Sequence, residues 1–197
     1  MGSIMRIRIF IIIILFSICR FTYADFEAGG EAYKRGDYET AAREFLPLAE
    51  NGDHRAMYAL GSMYSVGRGV PQDLDKAFKW FKEAAKYGRP DAEYKLGLMY
   101  FEGLGVPQDF KKAIRWFGQS AKKGYGDAQY RVGQMYIEGH GVKQNYIKAY
   151  AWSYVALAQG ITDAKTNIDL AKQNLTPEQL TEAEKLADSY QSTFTRH

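Results

Sequence analysis

An all-α solenoid of stacked helix pairs is the fold class this sequence predicts, and three observations predict it. The chain repeats itself without a gap every 36 residues: Ala56, Ala92, Ala128 and Ala164 form one series, and Trp80, Trp116 and Trp152 another. Residues 56–91 and 92–127 agree at 20 of 36 positions. Within each unit two stretches with apolar residues at helical spacing are separated by a glycine-rich loop. A period of this size belongs to arrays whose units bury their apolar faces only by stacking on each other.

The first element, residues 1–24, reads as a processing signal and not as part of the fold. Arg6 and Arg8 precede an apolar run from Ile9 to Ile18, and Thr22-Tyr23-Ala24 supplies small residues for cleavage after Ala24. The run is too short for a membrane span, which takes roughly 20 residues. The expected location is therefore the periplasm or the exterior, with retention as an anchor the competing outcome. Removing the segment takes away Arg6, Arg8 and Arg20, so Lys+Arg falls from 26 to 23 and balances the 23 Asp+Glu. A neutral mature chain argues against nucleic acid as a partner. The only cysteine, Cys19, leaves as well. No disulfide can then form, and the core alone must hold the fold.

Residues 25–55 are expected to form an amino-terminal cap. Tyr33 reaches Ala41 in eight residues, where the later units need 13 from Tyr64 to Ala77. Three full units follow at 56–91, 92–127 and 128–163. In the second, Ala92, Leu96, Met99 and Tyr100 make one helical face. Asp91, Asp127 and Asp163 are placed to cap the first helices, and Asp109 a second helix carrying Ala113, Trp116, Phe117 and Ala121. Gly124 is expected to close that helix in a left-handed conformation. Gly61, Gly97 and Gly133 lie inside first helices, where each costs about 0.8–1 kcal/mol against alanine. Such a repeated cost implies close approach of the paired helix. Residues 164–197 form the carboxy-terminal cap. There Thr176-Pro177-Glu178-Gln179 has capping-box spacing, and Leu180, Ala183, Leu186, Ala187 and Tyr190 share one face.

The run Ala92-x-Tyr94-x-Leu96-Gly97-x-Met99-Tyr100-x-x-Gly103-x-Gly105-Val106-Pro107-Gln108-Asp109, continuing to Ala113, Trp116-Phe117, Ala121 and Gly124, resembles the Sel1-like repeat. That family is a tetratricopeptide-like repeat with a longer loop between its helices. The resemblance implies a right-handed α-solenoid that works as a protein–protein adaptor. The third copy departs from the pattern, with Lys143 for proline, Asn145 for aspartate and Ser153 for phenylalanine.

Candidate chemistry is sparse. His54, His140 and His197 share no ligand spacing, so no metal site is expected. His140 reads as an ordinary loop residue, and no cofactor is implied. Ser120-Ala-Lys-Lys123 matches the Ser-x-x-Lys of penicillin-recognising enzymes, but the companion motifs are missing. Its period mates Ala84 and Ala156 mark Ser120 as a small core position followed by a solvated lysine. The aromatic series Tyr58, Tyr94, Tyr130 and Tyr64, Tyr100, Tyr136 recur in register, as packing residues do.

The positions that do not repeat carry the functional signal. Ala59 becomes Lys95 and Arg131, Ser62 becomes Leu98 and Gln134, and Ser65 becomes Phe101 and Ile137. Their spacing of three places each trio on one helix face. In tetratricopeptide arrays the first helices line the concave surface, so the resemblance makes these nine residues a protein-binding groove. Leu98, Phe101 and Ile137 are expected to be exposed beside Lys95 and Arg131, suiting a peptide or partner helix with an acidic element. The reading is an exported, non-enzymatic adaptor for a protein or peptide ligand, without stable membrane insertion after cleavage. The alternatives are a cell-wall protein that binds peptidoglycan fragments or hydrolyses β-lactams, and a weakly self-associating module.

Overall fold

The computed structural model describes residues 26–194, so residues 1–24, expected to be a processing signal, and His197 lie outside the described residues. Ten α-helices occupy them: α1 Phe26–Lys34, α2 Tyr38–Glu50, α3 His54–Val66, α4 Leu74–Lys86, α5 Pro90–Glu102, α6 Phe110–Lys122, α7 Gly126–Glu138, α8 Tyr146–Ala158, α9 Ala164–Gln173 and α10 Pro177–Phe194. The architecture is an all-α solenoid of helical repeats. The chain forms two compact units divided between Gln72 and Asp73.

In the first unit the Asp37 carboxylate accepts from the Thr40 amide and caps α2, and Asp53 does the same for α3 through the Arg55 and Ala56 amides. Phe45 is buried against the Phe26 ring at 5.2 Å and fills the space that Gly29 leaves beside it. After α3 the chain returns to the start of α2. Gly69 lies on the Tyr38 backbone, and the Arg68 guanidinium donates to the Tyr33 hydroxyl at 2.9 Å.

In the second unit α4 packs on α5, α5 on α6, α6 on α7 and α7 on α8, while α9 and α10 close against α8. The repeated alanines sit where helices approach most closely: Ala77, Ala92, Ala113, Ala121, Ala128, Ala149, Ala156 and Ala164 are all fully buried. Gly97 shows why a costly residue recurs inside a helix. A Cβ there would come within 2.5 Å of the Phe117 ring. Gly105 has both a positive φ of 68° and no room for a side chain, because it rests on the Leu74 backbone. Each Gly-x-Gly loop therefore seats on the first turn of the preceding second helix. Gln108 pins that loop by donating to the Phe101 carbonyl at 2.8 Å, as Gln144 does to Ile137 at 2.6 Å.

The second helices start as expected. Asp73, Asp109 and Asn145 accept from the amides of Lys76, Lys112 and Lys148 at 2.9, 2.9 and 2.8 Å. The first helices do not. Helix α5 begins at Pro90, whose ring presets the helical φ, so Asp91 falls inside the first turn and Arg89 occupies the cap position. Helix α7 begins at Gly126 with Tyr125 at its cap, and Asp163 makes no side-chain capping bond. From inside the first turn Asp91 still accepts from the free Ala92 amide at 2.8 Å, and both Asp91 and Asp127 put negative charge at the positive end of the helix dipole. At the far end the capping box forms reciprocally, Thr176 amide to Gln179 Oε1 at 3.0 Å and Gln179 amide to Thr176 Oγ1 at 3.3 Å.

Candidate interaction face

The nine non-repeating residues fall in both units. In α3, Ala59, Ser62 and Ser65 are half-buried, and the Ser65 hydroxyl donates to the Ser62 carbonyl at 2.7 Å. In α5 and α7, Lys95, Leu98, Phe101, Arg131 and Gln134 are half-buried, while Ile137 is only 8% exposed. The expected exposure of the three apolar members is corrected here. The Phe101 ring meets Phe110 at 5.3 Å, Phe117 at 6.4 Å and His140 at 6.0 Å. Leu98 packs on the same core cluster. These positions lie one turn from the loop seat, so their apolar side chains close the junction between repeats.

What the face offers is polar. The Arg131 guanidinium donates to Gln134 Oε1 at 3.1 Å, and the Gln134 amide donates to Glu138 Oε1 at 2.9 Å. Arg131 also stands beside the Tyr94 hydroxyl, whose pKa burial raises and Arg131 partly restores. Tyr94 packs on Phe117 and Tyr125, so Arg131 ties one first helix to the next. Lys95 enters no ion pair or hydrogen bond among the described residues.

His140 is also more than a loop residue. Its ring stacks on Phe110 at 4.4 Å and 6°, and Nδ1 lies 2.8 Å from Glu138 Oε2. Ser120 is fully buried and donates to the Pro90 carbonyl at 2.6 Å, a structural bond in the core position predicted for it. Lys123 is exposed, as expected, but it is not unpartnered: its Nζ reaches the Gly88 carbonyl at 3.0 Å and Glu93 Oε1 at 2.6 Å. Glu93 is only 4% exposed, and its second oxygen has no hydrogen-bond partner. Sequence reasoning missed this buried carboxylate. The signal that could have found it is the spacing of 30 residues, which returns one period later as Gln129–Gln159, with Gln159 donating to Gln129 at 2.7 Å. No group of three or more His, Cys, Asp or Glu side chains is arranged to hold a metal ion among the described residues.

A family model described as the Sel1 repeat matches residues 54–88, 90–125 and 126–161, more than half of the chain. The chain belongs to the Sel1 repeat family. Sel1 repeats generally mediate protein–protein interaction, and scaffolds of this family are generally non-catalytic. The chain is similar to the crystal structure of a Sel1 repeat protein from Oxalobacter formigenes, with a TM-score of 0.70 and 29% identity over 74% of this chain and 60% of that one. It is also similar to a protective antigen of uropathogenic Escherichia coli that displays an SLR fold, with a TM-score of 0.73 and 31% identity over 79% of this chain and 33% of that one. An exopolysaccharide production negative regulator of Rhizobium leguminosarum bv. viciae is 41% identical over 58 residues, 29% of this chain and 22% of that protein. The chain thus spans less than two thirds of the length of each of these proteins. No described helix is long and apolar enough to cross a membrane.

Proposed function

We propose that this Sel1 repeat protein is an exported, non-enzymatic adaptor that binds a protein or peptide partner on the outward faces of its first helices. The observation that carries the reading is the contrast on α5 and α7. Fully buried positions of these helices recur from repeat to repeat (Ala92 and Ala128, Gly97 and Gly133, Met99 and Met135), whereas the half-buried Lys95, Arg131 and Gln134 change in character between repeats. A face whose apolar members are held in the core recognises through charge and hydrogen bonds, so the partner is expected to bring carboxylates. Stacked helices hold these groups in place beforehand, which lowers the ordering cost of binding. The basic, apolar and small-residue order of the first 24 residues supports export to the periplasm or exterior. A role beside surface polysaccharide or in host contact agrees with the names of the similar proteins.

The test is capture from an envelope extract by residues 25–197 beside a Lys95→Glu/Arg131→Gln variant. Phe101 is left intact because its ring is part of the junction. A protein held by the parent and lost by the variant, with both chains equally helical, supports the reading. Equal capture by both chains overturns it.

A second reading rests on an open cleft lined by Tyr136, Gln144, Asn145, Tyr146, Lys148 and Gln179. Aromatic faces beside amides suit a sugar, and titration with a peptidoglycan fragment would shift the resonances of these residues alone.

A further inference from the structure

The second helices carry a charge pattern that the adaptor reading does not use. On α4 an exposed Asp75 is followed by Lys79, Lys82 and Lys86 on one outward strip, and on α6 the equivalent strip is without a carboxylate and holds Lys111, Arg115, Gly118 and Lys122. Lys79 and Arg115, like Lys86 and Lys122, are equivalent positions one period apart, and all six basic side chains are exposed. Lys86 pairs with Glu83 at 2.6 Å, but Lys79, Lys82, Lys111, Arg115 and Lys122 enter no ion pair among the described residues. On α8 the strip turns apolar, with Ile147, Ala151, Tyr154 and Ala158. There α9 and α10 pack against it, burying Ala151 and half-burying Ile147. The outward side of α10 is acidic: Glu178, Glu182, Glu184 and Asp188 are exposed against the single cation Lys185, and none of the four is in an ion pair. One unit therefore keeps unneutralised cations on two helices and unneutralised carboxylates on its last.

We infer that the basic strips of α4 and α6 are an interface for a second copy of this chain, which docks the acidic outer side of its α10 there. The two surfaces lie on different parts of the molecule, so copies can pair reciprocally as a closed dimer or head to tail as a longer assembly. Exposed charges on both sides make it weak and sensitive to salt. Near-neutral net charge of the chain after Ala24 removes the overall repulsion that would oppose it.

Sedimentation velocity of residues 25–197 tests this at about 10 mM salt, where the screening length is about 30 Å, and at about 1 M, where it is about 3 Å. The expected result is species larger than the monomer that grow with concentration at low salt and vanish at high salt. Lys79→Glu/Arg115→Glu/Lys122→Glu should be monomeric alone, and so should Glu182→Lys/Glu184→Lys/Asp188→Lys. An equimolar mixture of the two should associate again. A parent chain that stays monomeric at low salt overturns the proposal, as does association that persists in either reversed variant or a mixture that stays monomeric. A monomeric parent that binds phosphatidylglycerol vesicles overturns it too, and assigns the strips to an anionic lipid surface.

Discussion

The second and third repeats solve the same junction in different chemistry. At the first position, Phe117 in α6 fills the space beside Gly97, whereas Ser153 in α8 stands beside Gly133. At the second, the buried Glu93 meets Lys123, whereas the buried Gln129 meets Gln159. Next to Ser153 in the third repeat, Trp152 is covered by the cap, where Tyr190 of α10 packs on it at 4.5 Å. The backbone spacing thus dictates where a pair must sit and how much room it has. It leaves open whether that pair is charged or neutral.

The largest expected effect separates the first of these positions. Phe117→Ala should cost about 3–5 kcal/mol, because the ring is fully buried and touches Tyr94 and Phe101. Ser153→Ala should be neutral or stabilising by up to about 1 kcal/mol, since its buried hydroxyl has no hydrogen-bond partner. Urea denaturation of the two variants gives the contrast directly.

Next comes the pair. Lys123→Met strands a buried carboxylate, which costs roughly 3–5 kcal/mol when fully enclosed; the side chain of Lys123 is 39% exposed, which reduces this to about 2–3 kcal/mol. Transplanting the third repeat's solution, Glu93→Gln/Lys123→Gln, should recover most of the loss. A double variant as unstable as the single one would show that the two junctions are not interchangeable.

A smaller loss follows from Gly97→Ala. The gain in helix propensity is about 1 kcal/mol, and overpacking against Phe117 costs about 1–3 kcal/mol, so the melting temperature should fall modestly.

The smallest effect is a pH dependence. The Lys112 backbone amide holds the Asp109 carboxyl below its ordinary value of 3.8. A depressed carboxylate contributes stability above the unfolded pKa and loses it as pH falls through the folded one. Asn145 caps the third repeat without titrating. Asp109→Asn should therefore change little at neutral pH and flatten the loss of stability below about pH 3.8 in an acid titration.

Much of this was legible in the sequence because the period exposes it. The Gly97 approach, the Asp109 cap, the Thr176 capping box and the buried Ser120 follow from helical spacing and from comparing one repeat with the next. The first-helix starts were misplaced because Asp91 reads as a cap, while Pro90 just before it already sets the helical backbone. The face was misjudged in the opposite way. Variation between copies at Phe101 and Ile137 reads as exposure, but these residues vary because each repeat joins its own neighbouring loop. Glu93 was hidden since a charged residue at helical spacing reads as solvated until its partner, 30 residues away, is seen to enclose it.

Photo-cross-linking decides which face binds the partner, with a photoreactive phenylalanine analogue placed at Lys95, at Gln134 and, for comparison, at Arg115. Positions 95 and 134 should yield the same discrete adduct with a protein of the envelope extract, and position 115 only adducts between copies of this chain. Partner adducts from position 115 and none from 95 or 134 would contradict this assignment.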